Sequence, residues 1–355
     1  MKNIWEDMKK PFFVLAPMAD VTDAAFRHII AKYSKYGGQD IGEYGRFIRP
    51  NFACPPKFLR NFERTQNLGG PDVFWTEFVS ADGLVKAPEK GKQKLLKDLE
   101  FSEGEHPIVA QIFSSKPEMI KEASKMCLDL GFDGVDINMG CPDRSIEKQG
   151  AGAALCKTPE IAKELILAAK DGVENKIPIS VKIRLGYNKD ELETWLSELL
   201  SVEPALITIH ARTRKEMSKV PARWERIKRA VEIRDELKSK TLIAGNGDVI
   251  DLEDARKKAE ETGADGVMLG RAIFGNPWLF SEKIPTLKER LEVLIEHTKL
   301  FEELLGGTKS FALMKKHYKS YIQAFPEAKD LRLKLMETEN AREVEEVINN
   351  HLIQR

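Results

Sequence analysis

The sequence predicts a (β/α)8 barrel of the TIM type followed by a small, all-helical carboxyl-terminal domain. Three observations predict it. Eight short apolar runs rich in Val, Ile and Phe alternate with segments of helical period, the pattern of a parallel sheet with crossover helices. They extend over roughly 280 residues, against the ~250 usual for such barrels. Beyond Pro285 the strand signal stops and only helical periodicity remains. The expected strands lie at 13–18, 73–78, 108–113, 134–138, 179–183, 206–210, 242–245 and 267–270. Between them fall amphipathic stretches at 117–130, 159–171, 190–200, 224–237 and 252–262. Residues 1–285 are therefore assigned to the barrel and 286–355 to the helical domain, with helices such as 287–305 and 341–353. One irregularity interrupts the alternation: residues 37–71 carry Gly, Pro, Arg and Phe without a clear period, and an insertion of that length is functional or flexible.

Length and composition agree with this division. A chain of 355 residues exceeds the ~150-residue domain prior more than twofold, which favours a large unit plus a small one. With 32% charged and 42% hydrophobic residues, disorder, collagen and a membrane bundle are all disfavoured. No apolar run approaches the ~20 residues that span a bilayer, and residues 1–10 carry charges without a signal-peptide core. The expectation is a cytoplasmic, monomeric protein with no membrane partner. Cys54, Cys127, Cys141 and Cys156 show neither CxxC pairing nor zinc-site spacing to a histidine, so no metal is expected. Lys plus Arg equals Asp plus Glu at 56 each. The overall balance disfavours a polyanion partner, although it can conceal a basic face.

In a barrel of this kind function sits at the carboxyl ends of the strands. Strand one ends in Pro17 and Met18, strand two in Glu77, and strand three in Gln111. Strand four ends in Asn138, followed by Gly140, Cys141 and Pro142. Strand five ends in Lys182 and Arg184, and strand six in His210 and Arg212. Asn246, Gly247 and Asp248 follow strand seven, and Gly270 and Arg271 follow strand eight. The last two sets put small residues and backbone N–H groups where barrels commonly hold a phosphate, with Arg271 adding a fixed charge. Lys182 and His210 enter the same mouth. A cation there suits the anionic reduced form of a flavin, or equally a Schiff base of the aldolase type. Cys141 precedes a glycine-rich stretch at 150–154; an unperturbed thiol is mostly protonated at pH 7 and can donate a proton without special tuning.

These residues, taken in order, resemble the tRNA-dihydrouridine synthase family. The matching segments are Ala16-Pro17-Met18-Ala19-Asp20-Val21-Thr22-Asp23 with Phe26-Arg27, Thr76-Glu77-Phe78-Val79-Ser80-Ala81, and Gln111-Ile112-Phe113. They continue with Asp136-Ile137-Asn138-Met139-Gly140-Cys141-Pro142, Lys182-Ile183-Arg184, His210-Ala211-Arg212-Thr213-Arg214, Asn246-Gly247-Asp248 and Gly270-Arg271. The resemblance implies FMN cradled by Pro17, Met18 and Ala19, with Gln111, Lys182 and His210 around the ring. Asn246, Gly247, Asp248, Gly270 and Arg271 would meet its phosphate. It implies NADPH, or NADH, as reductant, hydride delivery to uracil C6 and protonation of C5 by Cys141. Asn138 would position the uracil, and Arg184, Arg212 and Arg214 are candidate RNA contacts.

The chain departs from the family in the insertion, where Arg46 to Arg64 hold five basic residues, one acid and Phe47, Phe52, Phe58 and Phe62. Basic residues interleaved with aromatics suit phosphates and exposed bases, so a role in RNA binding is expected. The helical domain offers a second basic stretch: Lys309, Lys315, Lys316, Lys319, Lys329, Arg332 and Lys334 against Glu327 and Asp330. Lys315, Lys316 and Lys319 are the tRNA contacts singled out. Two alternatives remain open at this point: an FMN barrel that reduces a free small molecule, such as a dihydroorotate dehydrogenase-like enzyme, or a catalytically silent tRNA-binding protein.

Overall fold

The computed structural model describes residues 3–6, 8–39, 47–48 and 69–353. Eight parallel strands form the sheet: β1 (Phe12–Leu15), β2 (Phe74–Ser80), β3 (Ile108–Phe113), β4 (Gly134–Met139), β5 (Ile179–Arg184), β6 (Leu206–His210), β7 (Leu242–Asn246) and β8 (Gly266–Leu269). Their order runs β1-β8-β7-β6-β5-β4-β3-β2. The ends meet: Asp72 N donates to Phe13 O at 2.9 Å and Leu15 N to Val73 O at 3.5 Å, so the sheet closes on itself. A barrel follows from the sequence alternation because each strand sends alternate residues inward and outward. On β1, Phe12 and Val14 join Trp75, Val109, Leu206, Ala244 and Met268 in the barrel interior, while Leu15 joins the layer under the helices. Trp5 packs into the interior cluster, against Phe12 and Trp75 at ring distances of 5.3 and 5.9 Å.

The helices are α1 (Ala24–Ile30), α2 (Ala81–Lys86), α3 (Glu89–Lys97), α4 (Pro117–Asp129), α5 (Arg144–Glu147), α6 (Pro159–Gly172), α7 (Leu192–Leu200), α8 (Trp224–Glu236) and α9 (Leu252–Thr262), with α10 (Leu287–Leu305), α11 (Lys315–Tyr321), α12 (Ala328–Met336) and α13 (Ala341–Ile353) after the barrel. Strands 108–113 and 206–210 and helices 252–262, 287–305 and 341–353 coincide with the sequence expectation; the other predicted elements shift by one or two residues, up to three at one end of β1. Helices α2 and α3 had no counterpart in the sequence reading. Of the predicted insertion, residues 40–46 and 49–68, including Arg46, Phe52, Cys54, Phe58, Phe62 and Arg64, lie outside the described residues, while Phe47–Ile48 forms a short strand paired antiparallel with Phe101–Ser102.

The helical region docks on α1. Thr286 and Glu289 form a reciprocal capping box that starts α10. Its inward residues Leu291, Leu294 and Phe301 share one continuous core with Phe26 and Ile29 of α1. Each such fully buried side chain stabilises by about 1.5–3 kcal/mol. Phe26 stacks on His297 and meets His317 edge-on, both at 4.8 Å. Arg27, fully buried, donates to Glu105 at 2.7 Å and to the carbonyls of Thr22 and Glu100, which fixes α1 against the loop before β3.

Candidate active site

A cavity of about 650 Å3 opens at the carboxyl ends of the strands. Ala16, Pro17 and Met18 wall it after β1, Asn138, Gly140, Cys141 and Pro142 after β4, and Lys182, Arg184, His210 and Arg212 at the ends of β5 and β6. Asn246, Gly247, Asp248, Gly270 and Arg271 complete the wall beyond β7 and β8. Fifteen of the singled-out strand-end residues are thus brought to one cavity, which the sequence expectation required. The sequence reading did not select Phe78, Ser218 or Ile250, which also line it.

Local contacts explain the wall. The 16–18 turn is held by Met18 N donating to Thr22 Oγ1 at 2.9 Å and by Val21 and Thr22 N–H groups on Met18 O. The Cys141 loop is seated by Ala153 N on Cys141 O at 2.9 Å. Gly152 makes this possible: at φ +61° a Cβ would stand 2.7 Å from the Cys141 carbonyl. The glycine-rich stretch is therefore the support of the cysteine loop. Phe78, Phe113, Ile146 and Ala151 pack around Cys141, and this burial raises its thiol above the usual range. Such a thiol stays protonated at neutral pH.

Lys182 is half-buried, and among the described residues its ammonium has one acceptor, Asn246 Oδ1, at 3.2 Å. Burial, then Arg184 nearby, pushes it down to about 8. Burial, then the Lys182 charge, drives His210 well below the usual imidazole range. Its tautomer follows from a neighbour: Arg212 Nη1 lies 3.0 Å from His210 Nε2, and a guanidinium can only donate, so Nε2 accepts and the proton resides on Nδ1. The backbone N–H groups of Gly247, Asp248 and Gly270 have no acceptor among the described residues. With Arg271 beside them they form an anion-binding edge. The combination fits a ligand with an electron-rich ring and a phosphate: unpaired N–H donors at one side and an under-paired buried ammonium within the same cavity.

Several predicted residues take other places. Ala19 is not on the cavity wall. Gln111 is fully buried one layer beneath it, bonded to Asp136 and Asn138. The Asp248 carboxylate pairs with Arg212 and, at 2.8 Å, with Arg271, so its backbone N–H rather than its side chain is available to an anion; Arg212 holds its pKa below the usual range. Arg184 donates to the carbonyls of Gly140, Thr213 and Met217, and Arg212 to Val220 O at 2.6 Å. Both line the cavity, but their guanidiniums brace its loops. Arg214 lies off the wall, paired with Glu147.

The basic stretch of the helical region is also partly committed. Lys309 reaches back to the barrel, to Glu77 at 2.6 Å and Asp98 at 2.9 Å. Glu77, which lies mid-strand in β2 and not at its end as the sequence suggested, also accepts from Asp20 N, so this ion cluster ties the helices to the 16–23 loop. Burial raises Glu77 to about 7 while Lys309 opposes the rise. Lys315 donates to Met336 O at 2.7 Å, Arg332 to Ile322 O at 2.7 Å, and Lys316 faces Asp20 at 3.6 Å. Lys319, Lys329 and Lys334 are exposed.

The fold and cavity define a (β/α)8 barrel with an anion-binding edge and a protonated thiol in its cavity wall, in keeping with a flavin oxidoreductase. The comparisons narrow that class. The family model "Dihydrouridine synthase (Dus)" matches residues 14–355. A "Probable tRNA-dihydrouridine synthase" of Staphylococcus aureus (strain Mu50) is 38% identical over 353 residues, covering 98% of this chain and 95% of the relative. "Probable tRNA-dihydrouridine synthase 2" of Bacillus subtilis (strain 168) is 38% identical over 354 residues, covering 98% and 96%. Among solved structures, histamine dehydrogenase from Rhizobium sp. 4-9 shares the fold at a TM-score of 0.50 and 12% identity, over 84% of this chain and 51% of that one. The chain belongs to the dihydrouridine synthase family.

Proposed function

We propose that this protein reduces uridine in transfer RNA to 5,6-dihydrouridine, using FMN and a nicotinamide reductant. The observation that carries the reading is the half-buried, protonated Cys141 thiol on the wall of a cavity whose other side offers free backbone N–H groups and a cationic edge. FMN bound in the cavity would supply the hydride chemistry that links NADPH to C6 of the uracil. Pro17, Met18, Lys182 and His210 would hold its ring, and the N–H groups of Gly247, Asp248 and Gly270 with Arg271 would hold its phosphate. Lys182 keeps positive charge in the cavity, where it stabilises an electron-rich ring. Asn138 orients the uracil, and Cys141 gives its proton to C5 as negative charge develops there, a task for which a raised thiol pKa is suited.

The substrate must leave its stack before its face is accessible, so grip on the surrounding RNA is required. Exposed Lys319, Lys329 and Lys334 supply part of that grip on the helical side. One chain carries the whole cavity, which supports action as a monomer, and the tRNA substrate supports a cytoplasmic location; among the described residues no helix is long and apolar enough to cross a membrane. An anaerobic half-reaction tests the reading. Enzyme reduced by NADPH is mixed with unmodified tRNA, and the flavin absorbance should return. Return with a free oxidised pyrimidine such as orotate but none with tRNA would refute it.

A further inference from the structure

Beneath the cavity a chain of hydrogen bonds runs in one direction. Asp136, fully buried, accepts from Ser180 Oγ at 2.6 Å and from Gln111 Nε2 at 2.6 Å. Gln111 Oε1 accepts from Asn138 Nδ2 at 2.9 Å. Asn138 Oδ1 in turn accepts the N–H groups of Gly140 at 3.1 Å and Cys141 at 2.8 Å. The barrel register builds this chain, because Gln111 pairs with Asp136 across β3 and β4, and Asp136 with Ser180 across β4 and β5. Asp136 and Asn138, two apart on one strand, share the inward face.

Direction is the informative part. The two ends of an amide have nearly the same shape, so packing alone leaves Gln111 and Asn138 free to turn either way. An ionised carboxylate can only accept, which obliges Gln111 to turn its NH2 towards Asp136 and its oxygen towards Asn138. Asn138 must then give its NH2 to Gln111, and its oxygen is left for the cysteine loop. With the chain reversed, the Asn138 NH2 would face the N–H groups of Gly140 and Cys141, and the loop would lose both acceptors. Burial pushes Asp136 up to about 6, which leaves it predominantly ionised at neutral pH.

We propose that Asp136 is a positioning residue for the proton donor: acting through Gln111, it sets the direction of the Asn138 amide and so holds the Cys141 loop at the cavity wall. This rests on the uridine reduction proposed above, and the test separates the two. Asp136→Asn keeps the shape and removes the obligatory acceptor. In the anaerobic half-reactions it should reduce its flavin with NADPH within threefold of the wild-type rate and bind tRNA within threefold of wild-type affinity. Its flavin reoxidation by tRNA should fall at least tenfold. Equal rates of reoxidation in variant and wild type would overturn the inference, as would a parallel fall in both half-reactions. Wild-type enzyme that tRNA does not reoxidise would instead refute the proposed function. Should Asp136→Asn not fold, the double variant Asp136→Asn with Gln111→Glu moves the sole acceptor one step nearer the loop and keeps the direction of Asn138. It should fold and retain tRNA-dependent reoxidation; a folded double variant lacking it would overturn the inference.

Discussion

Replacing Lys182 by Met should strengthen the ligand-free protein and weaken its hold on FMN. The ammonium sits in the cavity wall with a single amide oxygen as partner among the described residues, and its pKa falls from 10.5 to about 8. Each pKa unit corresponds to about 1.4 kcal/mol, so the charged form costs the fold at most about 3 kcal/mol. The folded protein holds this proton less tightly than the unfolded chain does. The cost is therefore fully present below pH 8 and fades between pH 8 and 10.5. Met fills the volume without the charge, so urea unfolding of the apoprotein at pH 7 should show a gain of roughly 1–3 kcal/mol. A hydrogen bond to a charged group contributes about 1.5–3 kcal/mol, so FMN affinity measured by fluorescence titration should drop roughly 10- to 100-fold. The same linkage predicts that wild-type FMN affinity declines as pH rises through 8. A variant less stable than wild type with unchanged FMN affinity would refute the reasoning, because the ammonium would then already be satisfied by the protein.

Other consequences are open to measurement. Cys141→Ala should retain bound flavin and NADPH oxidation but lose uridine reduction by about 100-fold or more, as removal of a general acid would; full activity would remove Cys141 from the chemistry. Reversing charge at Lys319, Lys329 and Lys334 should weaken tRNA binding and make log K less dependent on log salt by about 2–3 in slope, with FMN retained; unchanged affinity across salt would exclude this surface. His297 and His317 are buried, and burial lowers both, His317 to about 3. They bind protons more weakly folded than unfolded, so their contribution is intact above pH 6.5 and is lost as pH falls from 6.5 towards 3. The melting temperature should decline over that window, and less steeply in His317→Leu; an identical pH profile in the variant would count against these histidines.

The barrel was legible because its signals are local: apolar runs of strand length, helices of clear period, and reactive residues placed where strands end. Phe12 and Val14 facing inward and Leu15 outward is what an alternating strand implies. The cavity wall could be read for the same reason, since a residue at a strand end in a barrel has one place to go. Long-range partners could not be read. Nothing near Lys309 in sequence indicates that it bonds Glu77, 232 residues away, instead of RNA. Arg214 and Glu147 are likewise 67 residues apart, and the pairing of the Asp248 carboxylate with Arg212 and Arg271 joins three different loops. Asp136 had an available signal, since it stands two residues before Asn138 and so on the same face, but its partners Gln111 and Ser180 come from neighbouring strands.

Mass spectrometry of tRNA nucleosides tests the central claim most directly. Unmodified tRNA is incubated with the FMN-loaded protein and NADPH, then digested. Uridine should be converted to a nucleoside heavier by two hydrogens that co-elutes with dihydrouridine, and no such product should form with Cys141→Ala. Consumption of NADPH by a yellow wild-type protein that leaves every uridine unchanged would contradict it.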